Sequence, residues 1–135
     1  MPFVSELYTF LAAQAGITAL TGSGAGARIY PLMAPQLELG AELSSTLVYS
    51  QVSRQDLDAL RETGMRRTEF EFLSMAATHA AAHALNDALE AALHHYTGAM
   101  GAATCQRAKL QDTSDEVLPD IGVYIVASRY LIAHS

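Results

Sequence analysis

The segment from Met65 to Tyr96 limits most sharply what this chain can fold into, because its hydrophobic period changes once and cleanly. From Met65 to Ser74, Thr68, Phe70 and Phe72 alternate with Arg67, Glu69 and Glu71, the period of two that marks a strand with one packed and one polar face. From Ala76 the period becomes helical: Thr78, Ala82, Leu85, Leu89, Ala92 and Tyr96 share a stripe, and His79, His83, Asn86, Asp87, Glu90 and His94 lie opposite. The pattern predicts a helix of roughly 20 residues fed directly by the strand. Neither element can bury its apolar side alone, so Leu85, Leu89 and Tyr96 are expected to lie across Phe70 and Phe72.

Upstream, Val4, Leu7, Tyr8 and Leu11 make one face of a helix from Phe3 to Gln14, with Gly16 as its stop and Ile17 to Leu20 as one more apolar turn. Thr21 to Ala27 is a glycine-rich linker, and Arg28-Ile-Tyr30 is a short strand ended by Pro31. Leu32 to Thr46 reads as a loop, and loops of that length in a compact domain are usually functional or ordered by a partner. Leu47 to Ser53 is a strand, and Arg54 to Gly64 a charged arm projecting between it and the Met65 strand. Downstream, Thr104 to Gln111 alternates as a strand, Asp112 to Glu116 is an acidic turn, and Gly122 to Ile132 is apolar on both faces, as a central strand would be. The expectation is a single α+β domain over residues 1–135, in the order α-β-β-β-α-β-β. Its mixed, mainly antiparallel sheet has about four to five strands, with the long helix and the N-terminal helix packed on one face.

Composition removes several function classes. No stretch approaches the roughly 18 continuous apolar residues of a membrane span, and Met1 to Glu6 lacks the basic start of a signal peptide. The single cysteine, Cys105, excludes an internal disulfide and fits a reducing cytoplasm. A net charge of −6, with only eight Lys and Arg, speaks against a nucleic-acid surface.

The residue patterns that carry chemistry are incomplete. The glycines between Thr21 and Ala27 follow a helix and precede a strand, the reverse of a phosphate loop, and no lysine stands among them. His79 and His83 have the four-residue spacing of helical zinc sites, but Ala80 occupies the position of the usual general base and no third ligand is marked. A polar, solvated or interface-facing stripe is the simpler reading. His94 and His95 suit the negative end of the helix dipole, and His134 falls at a frayed terminus. Ser23 lacks the frame of a nucleophile elbow. The sequence therefore assigns no catalytic residue, no metal ligand and no cofactor. It does assign a charged contact surface: Arg54, Asp56, Arg61 and Glu62 on the arm, and Arg66, Arg67, Glu69 and Glu71 on the strand that follows.

The order of parts resembles one family. A helix ending in Ala15-Gly-Ile-Thr-Ala-Leu20, then Arg28-Ile-Tyr-Pro31, Ala34-Pro35 and Leu47-Val-Tyr49, is similar to the N-terminal half of the tail-completion, or tail-terminator, proteins of long-tailed bacteriophages, prophages and gene transfer agents. The Gly64 turn, the strand Arg66-Arg-Thr-Glu-Phe-Glu-Phe72, an Ala-rich helix, an acidic turn and a last strand entered through Ile121-Gly-Val-Tyr124 continue the likeness. The Leu37-to-Ser45 segment is longer than in that pattern, and the last strand is less polar. The resemblance implies a structural virion protein, not an enzyme, that is assembled in the host cytoplasm and resides in the particle tail. There it would form a homo-oligomeric, hexameric ring on the head-proximal end of the tail tube. It would contact the tube protein and the head-tail connector or stopper, with DNA passing through the channel unbound and no membrane involved. The alternative is a small metal- or ligand-binding α+β domain, or an enzyme, using the His79/His83 helix face.

Overall fold

The computed structural model of the chain describes residues 3–22, 29–31, 45–56, 66–118 and 122–134. Among these residues, helices α1 (Phe3–Ala12), α2 (Ala15–Thr21) and α3 (His79–Leu93) accompany six strands, β1 (Ile29–Pro31), β2 (Thr46–Asp56), β3 (Arg66–Ala76), β4 (Gly98–Met100), β5 (Ala103–Leu118) and β6 (Val123–His134). They form one sheet in the order β1-β2-β3-β6-β5-β4, in which β1 runs parallel to β2 and every other neighbouring pair is antiparallel. This is the α+β class with a mixed, mainly antiparallel sheet, as expected, but with six strands rather than four to five. The additional strand is β4, which pairs Ala99 with Thr104 and Met100 with Ala103. Three residues beginning with a glycine carry no period from which a strand could be read.

The unit of β3 and α3 is built as its periods require, with shifted ends. Thr68, Phe70, Phe72, Ser74 and Ala76 are buried along β3, while the residues between them are half-buried. The strand continues through Ala76, and α3 starts only after Thr78, whose Oγ1 accepts from the Ala81 N–H at 3.1 Å. The helix is therefore 15 residues long, shorter than its stripe implies. Leu85, Leu89 and Leu93 are fully buried in one cluster with Phe70 and Phe72, the contact the two periods demand. Tyr96 lies past the helix end, and its ring meets Phe10 of α1 with centroids 4.5 Å apart. Asn86, assigned to the polar stripe by period, is buried.

All three helices share one face of the sheet. Leu7, Phe10 and Leu11 of α1 and Ile17 of α2 join Tyr49, Tyr130 and Ile132 in the same core. Within it Tyr49 stacks on Phe72 at 6.0 Å, and Tyr130 meets Phe72 edge-on at 5.5 Å. Gly16 does not stop the first helix. The break falls before Ala15, and Gly16 lies in the first turn of α2, where an added Cβ would come within 4.0 Å of Ala88 on α3. The Glu6 carboxylate, buried near the start of α1, accepts the Ala102 N–H in the β4–β5 turn, and Gly101 in that turn has φ +58°.

The final strand lies between β3 and β5, and it is apolar on both faces as a central strand should be. Its far face adds a small second cluster in which Val123 and Ile125 pack with Leu73, Met75 and Ala77. His134 is not frayed: it is buried, and its Nε2 lies 2.7 Å from Thr68 Oγ1, because β6 pairs as far as its own end with Arg66 and Cys105.

Candidate functional site

Two surfaces merit description as sites, one at the free edge of the sheet and one at the start of α3. The first arises because β5 is far longer than expected. Its 16 residues include Asp112 to Glu116, which the sequence assigns to a turn, and they pair with β6 as far as Leu118. Acidic and serine residues disfavour strands when solvated, but β6 supplies a continuous apolar partner, and cross-strand pairing overrides the local preference. The ladder absorbs irregularities after Cys105 and after Leu110.

Among the described residues, the other edge of β5 is covered only at its beginning. There β4 pairs with it at Ala103–Cys105, and the chain leaving α3 adds bonds from the His95 N–H to Ala108 O at 2.7 Å and from the Ala108 N–H to Tyr96 O at 3.3 Å. His94 serves this junction as an acceptor, its Nδ1 taking the Leu110 N–H at 3.1 Å. His95 takes the left-handed φ of 64°, and the adjacent His94, with burial, Arg107 and Lys109 adding, lowers its pKa. From Gln111 to Val117 every residue is exposed, and no strand among the described residues neighbours that edge. Such an edge presents unpaired N–H and C=O groups to any strand that can reach it.

The residues expected to form a charged contact are only partly brought together. Arg61 and Glu62 lie outside the described residues, as do the rest of the arm at 57–65, the glycine-rich stretch at 23–28 and the loop at 32–44. Arg54 and Asp56 are not in an arm at all, because β2 continues through Asp56 and pairs them with Thr68 and Arg66. Arg66 and Arg67 are exposed at the start of β3. Arg67, Glu69 and Glu71 face away from the helices, and Glu71 Oε2 lies 3.4 Å from Nε of Arg129 on β6, a cross-strand ion pair. Beside it a groove of about 370 Å³ is lined by Glu71, Asp112, Thr113, Ser114, Ala127 and Arg129. That lining is polar, unlike the mainly apolar pockets that hold small molecules.

The second surface is one that the sequence half shows. His79 and His83 project from the first turns of α3 with ring centroids 4.3 Å apart, and Asp115 reaches them from the helix-bearing side of β5. Asp115 Oδ2 is 3.4 Å from His79 Nε2, and Oδ1 is 3.0 Å from His83 Nε2. The third group is invisible in the sequence because it stands in a segment that reads as a turn. One signal could have found it: a two-faced apolar β6 needs a partner of equal length, which forces 112–118 into the sheet. The lone thiol is a poor nucleophile, since Cys105 is buried, donates to Tyr96 O at 3.5 Å and has its pKa pushed up by burial to about 11.

Comparison with known proteins agrees with the order of elements. No curated protein sequence matches the chain. A subunit in the virion of a native gene transfer agent particle has the same fold, with a TM-score of 0.65 at 18% identity, covering 95% of this chain and 90% of that one. Residues 5–135 match the family described as tail completion protein gp17. That match spans nearly the whole chain, and the chain belongs to the tail completion protein gp17 family, structural proteins of the phage or phage-like tail that assemble with other tail and head proteins.

Proposed function

We propose that this subunit is a tail terminator: copies of it close into a hexameric ring on the head-proximal end of the tail tube, stop tube polymerisation and join the tail to the head connector. The observation that carries this reading is the edge of β5 from Gln111 to Val117, exposed and without a neighbouring strand among the described residues. A closed ring needs a head-to-tail contact in which one patch meets a different patch of the next copy. A free strand edge supplies half of such a contact through main-chain hydrogen bonds. Asp112 and Glu116 on this edge are complementary in charge to Arg66 and Arg67, which are exposed at the start of β3. The net charge of −6 suits a channel through which DNA slides without being held. The role is not catalytic in this reading, which the polar groove, the buried thiol and the tail family all favour.

Electron microscopy of the purified subunit, or of tails assembled with it, tests the ring, and a closed single ring is the expected particle. A two-fold dimer would refute it. The charge reversal Arg61→Glu with Arg66→Glu tests the contact: tails lacking normal length control or heads are expected, while the free subunit melts as the parent does. Because the charges mainly steer and set register, the defect should be greatest at low salt.

A further inference from the structure

We infer that His79, His83 and Asp115 form a site for a divalent transition-metal ion of the zinc class, which clips the start of α3 to β5. Three ligand atoms from two elements converge here: one nitrogen from each imidazole and one carboxylate oxygen, all within 4.8 Å of one another. A tetrahedral zinc with bonds of about 2.0–2.1 Å would hold its ligand atoms about 3.4 Å apart. The separations to Asp115 are 3.4 Å from His79 Nε2 and 3.0 Å from His83 Nε2, so the groups already stand near coordination distance.

A second observation concerns His83 alone. Its Nε2 atom is shut off from solvent and makes no hydrogen bond, although the Asp115 carboxylate is at ion-pair distance. The distance suits an attraction, while the direction is wrong for a shared proton. A lone pair in that position is satisfied by a cation lying between the two groups. Buried polar atoms are seldom left without any partner, so this one calls for an explanation.

The chemistry of the donors selects the ion. Two imidazoles and one carboxylate suit zinc, cobalt or nickel, whereas calcium and magnesium require shells built mainly of oxygen. The side chains of His79 and Asp115 are 60% and 54% exposed, which leaves the ion a path in and a remaining position for water. Tyr124 sets its ring edge-on to His79 at 6.1 Å and limits how far that imidazole can swing. The order of ligands is local and then remote: the helix fixes two at the i, i+4 spacing, and the sheet register of Asp115 opposite Val126 delivers the third. An ion here would stiffen the exposed edge of β5, but the site does not depend on ring formation, and it can stand or fall separately from the terminator reading.

The test uses the full chain, stripped with a chelator and titrated with zinc chloride. Calorimetry is expected to give one zinc per chain, and the melting temperature should climb with zinc and saturate, with magnesium chloride having no effect. Cobalt(II) in place of zinc should give visible absorption bands typical of a tetrahedral ion. Asp115→Asn and His83→Gln should each weaken zinc at least about a hundredfold, since even outer-shell changes cost 10- to 100-fold. His79→Gln, at the most exposed position of the three, serves as the variant least able to disturb folding, and the metal-free melting temperature of each variant reports its fold. Absence of zinc binding by the parent overturns the inference. So does undiminished binding by Asp115→Asn, which would place the ion elsewhere, for instance at His94 and His95.

Discussion

Leu89→Ala is the substitution that most directly probes how α3 holds the domain together. Leu89 is fully buried in the cluster that contains Phe70, Phe72 and Tyr130. Removing its side chain forfeits the transfer energy of the lost carbons and leaves a cavity, and buried Leu→Ala changes span about 2.7–5.0 kcal/mol depending on how far the site collapses. Collapse is limited here because α3 is pinned at both ends. At its start only Ala77 separates the end of β3 from the Thr78 cap, and at its finish the His95 N–H and the His94 ring are bonded to β5. The helix cannot sink onto the sheet without breaking one of these attachments, which places the expected loss in the upper half of the range, at about 4 kcal/mol. For a domain of this length each kcal/mol moves the melting temperature by roughly 4 °C, so a fall of roughly 16 °C is expected. Differential scanning calorimetry of the parent, Leu89→Ala and the control Val52→Ala measures it. Val52 is 46% exposed at the irregularity in β2, and its truncation should change stability by no more than about 0.5 kcal/mol. If Leu89→Ala melts within a degree or two of the Val52 control, α3 does not carry the core, and the packing argument fails.

Gly101→Ala combines a left-handed φ of +58° with a Cβ that would run into the Glu6 carboxylate, so a loss of about 2–3 kcal/mol is expected. Placing it in a Glu6→Ala background should recover part of that loss, and strict additivity in chemical denaturation would show that the two residues do not clash. His134→Ala leaves the buried Thr68 hydroxyl without its ring partner and should cost about 1–3 kcal/mol by urea unfolding, whereas no cost would mean that the last residues of β6 are dispensable. Burial raises the Cys105 pKa from 9.0 to about 11 and raises those of Tyr49 and Tyr130 from 10.0, so the folded state holds these protons more tightly than the unfolded chain. Stability is then at its plateau below about pH 9 and falls as pH rises, with the Cys105 contribution lost between pH 9 and 11. Cys105→Ala should flatten that part of the profile of melting temperature against pH, and the native thiol should react with thiol reagents far more slowly than the unfolded chain.

What the sequence determined by itself was the set of elements whose signal is a sustained period. The alternation of Thr68, Phe70 and Phe72 and the leucine stripe of α3 identify one strand, one helix and the face on which they meet, because burial imposes its period on the residues that are buried. The order of short motifs likewise pointed to the tail-completion family, to which the chain belongs. What only the tertiary structure decided was everything that depends on a partner distant in sequence. Asp112 to Glu116 are in a strand because β6 lies beside them, Asn86 is buried although its helical phase is polar, and His134 is packed because Thr68 faces it. The charged residues proposed as a contact were legible as a cluster in sequence, but the pairing of Glu71 with Arg129 and the continuation of β2 through Arg54 and Asp56 belong to the register of the sheet. Asp115 shows the reason most plainly. A helix sets His79 and His83 together through local geometry that four residues of sequence disclose, whereas the carboxylate that joins them comes from 32 positions beyond His83, brought there by strand pairing whose energy lies in contacts and not in local preference.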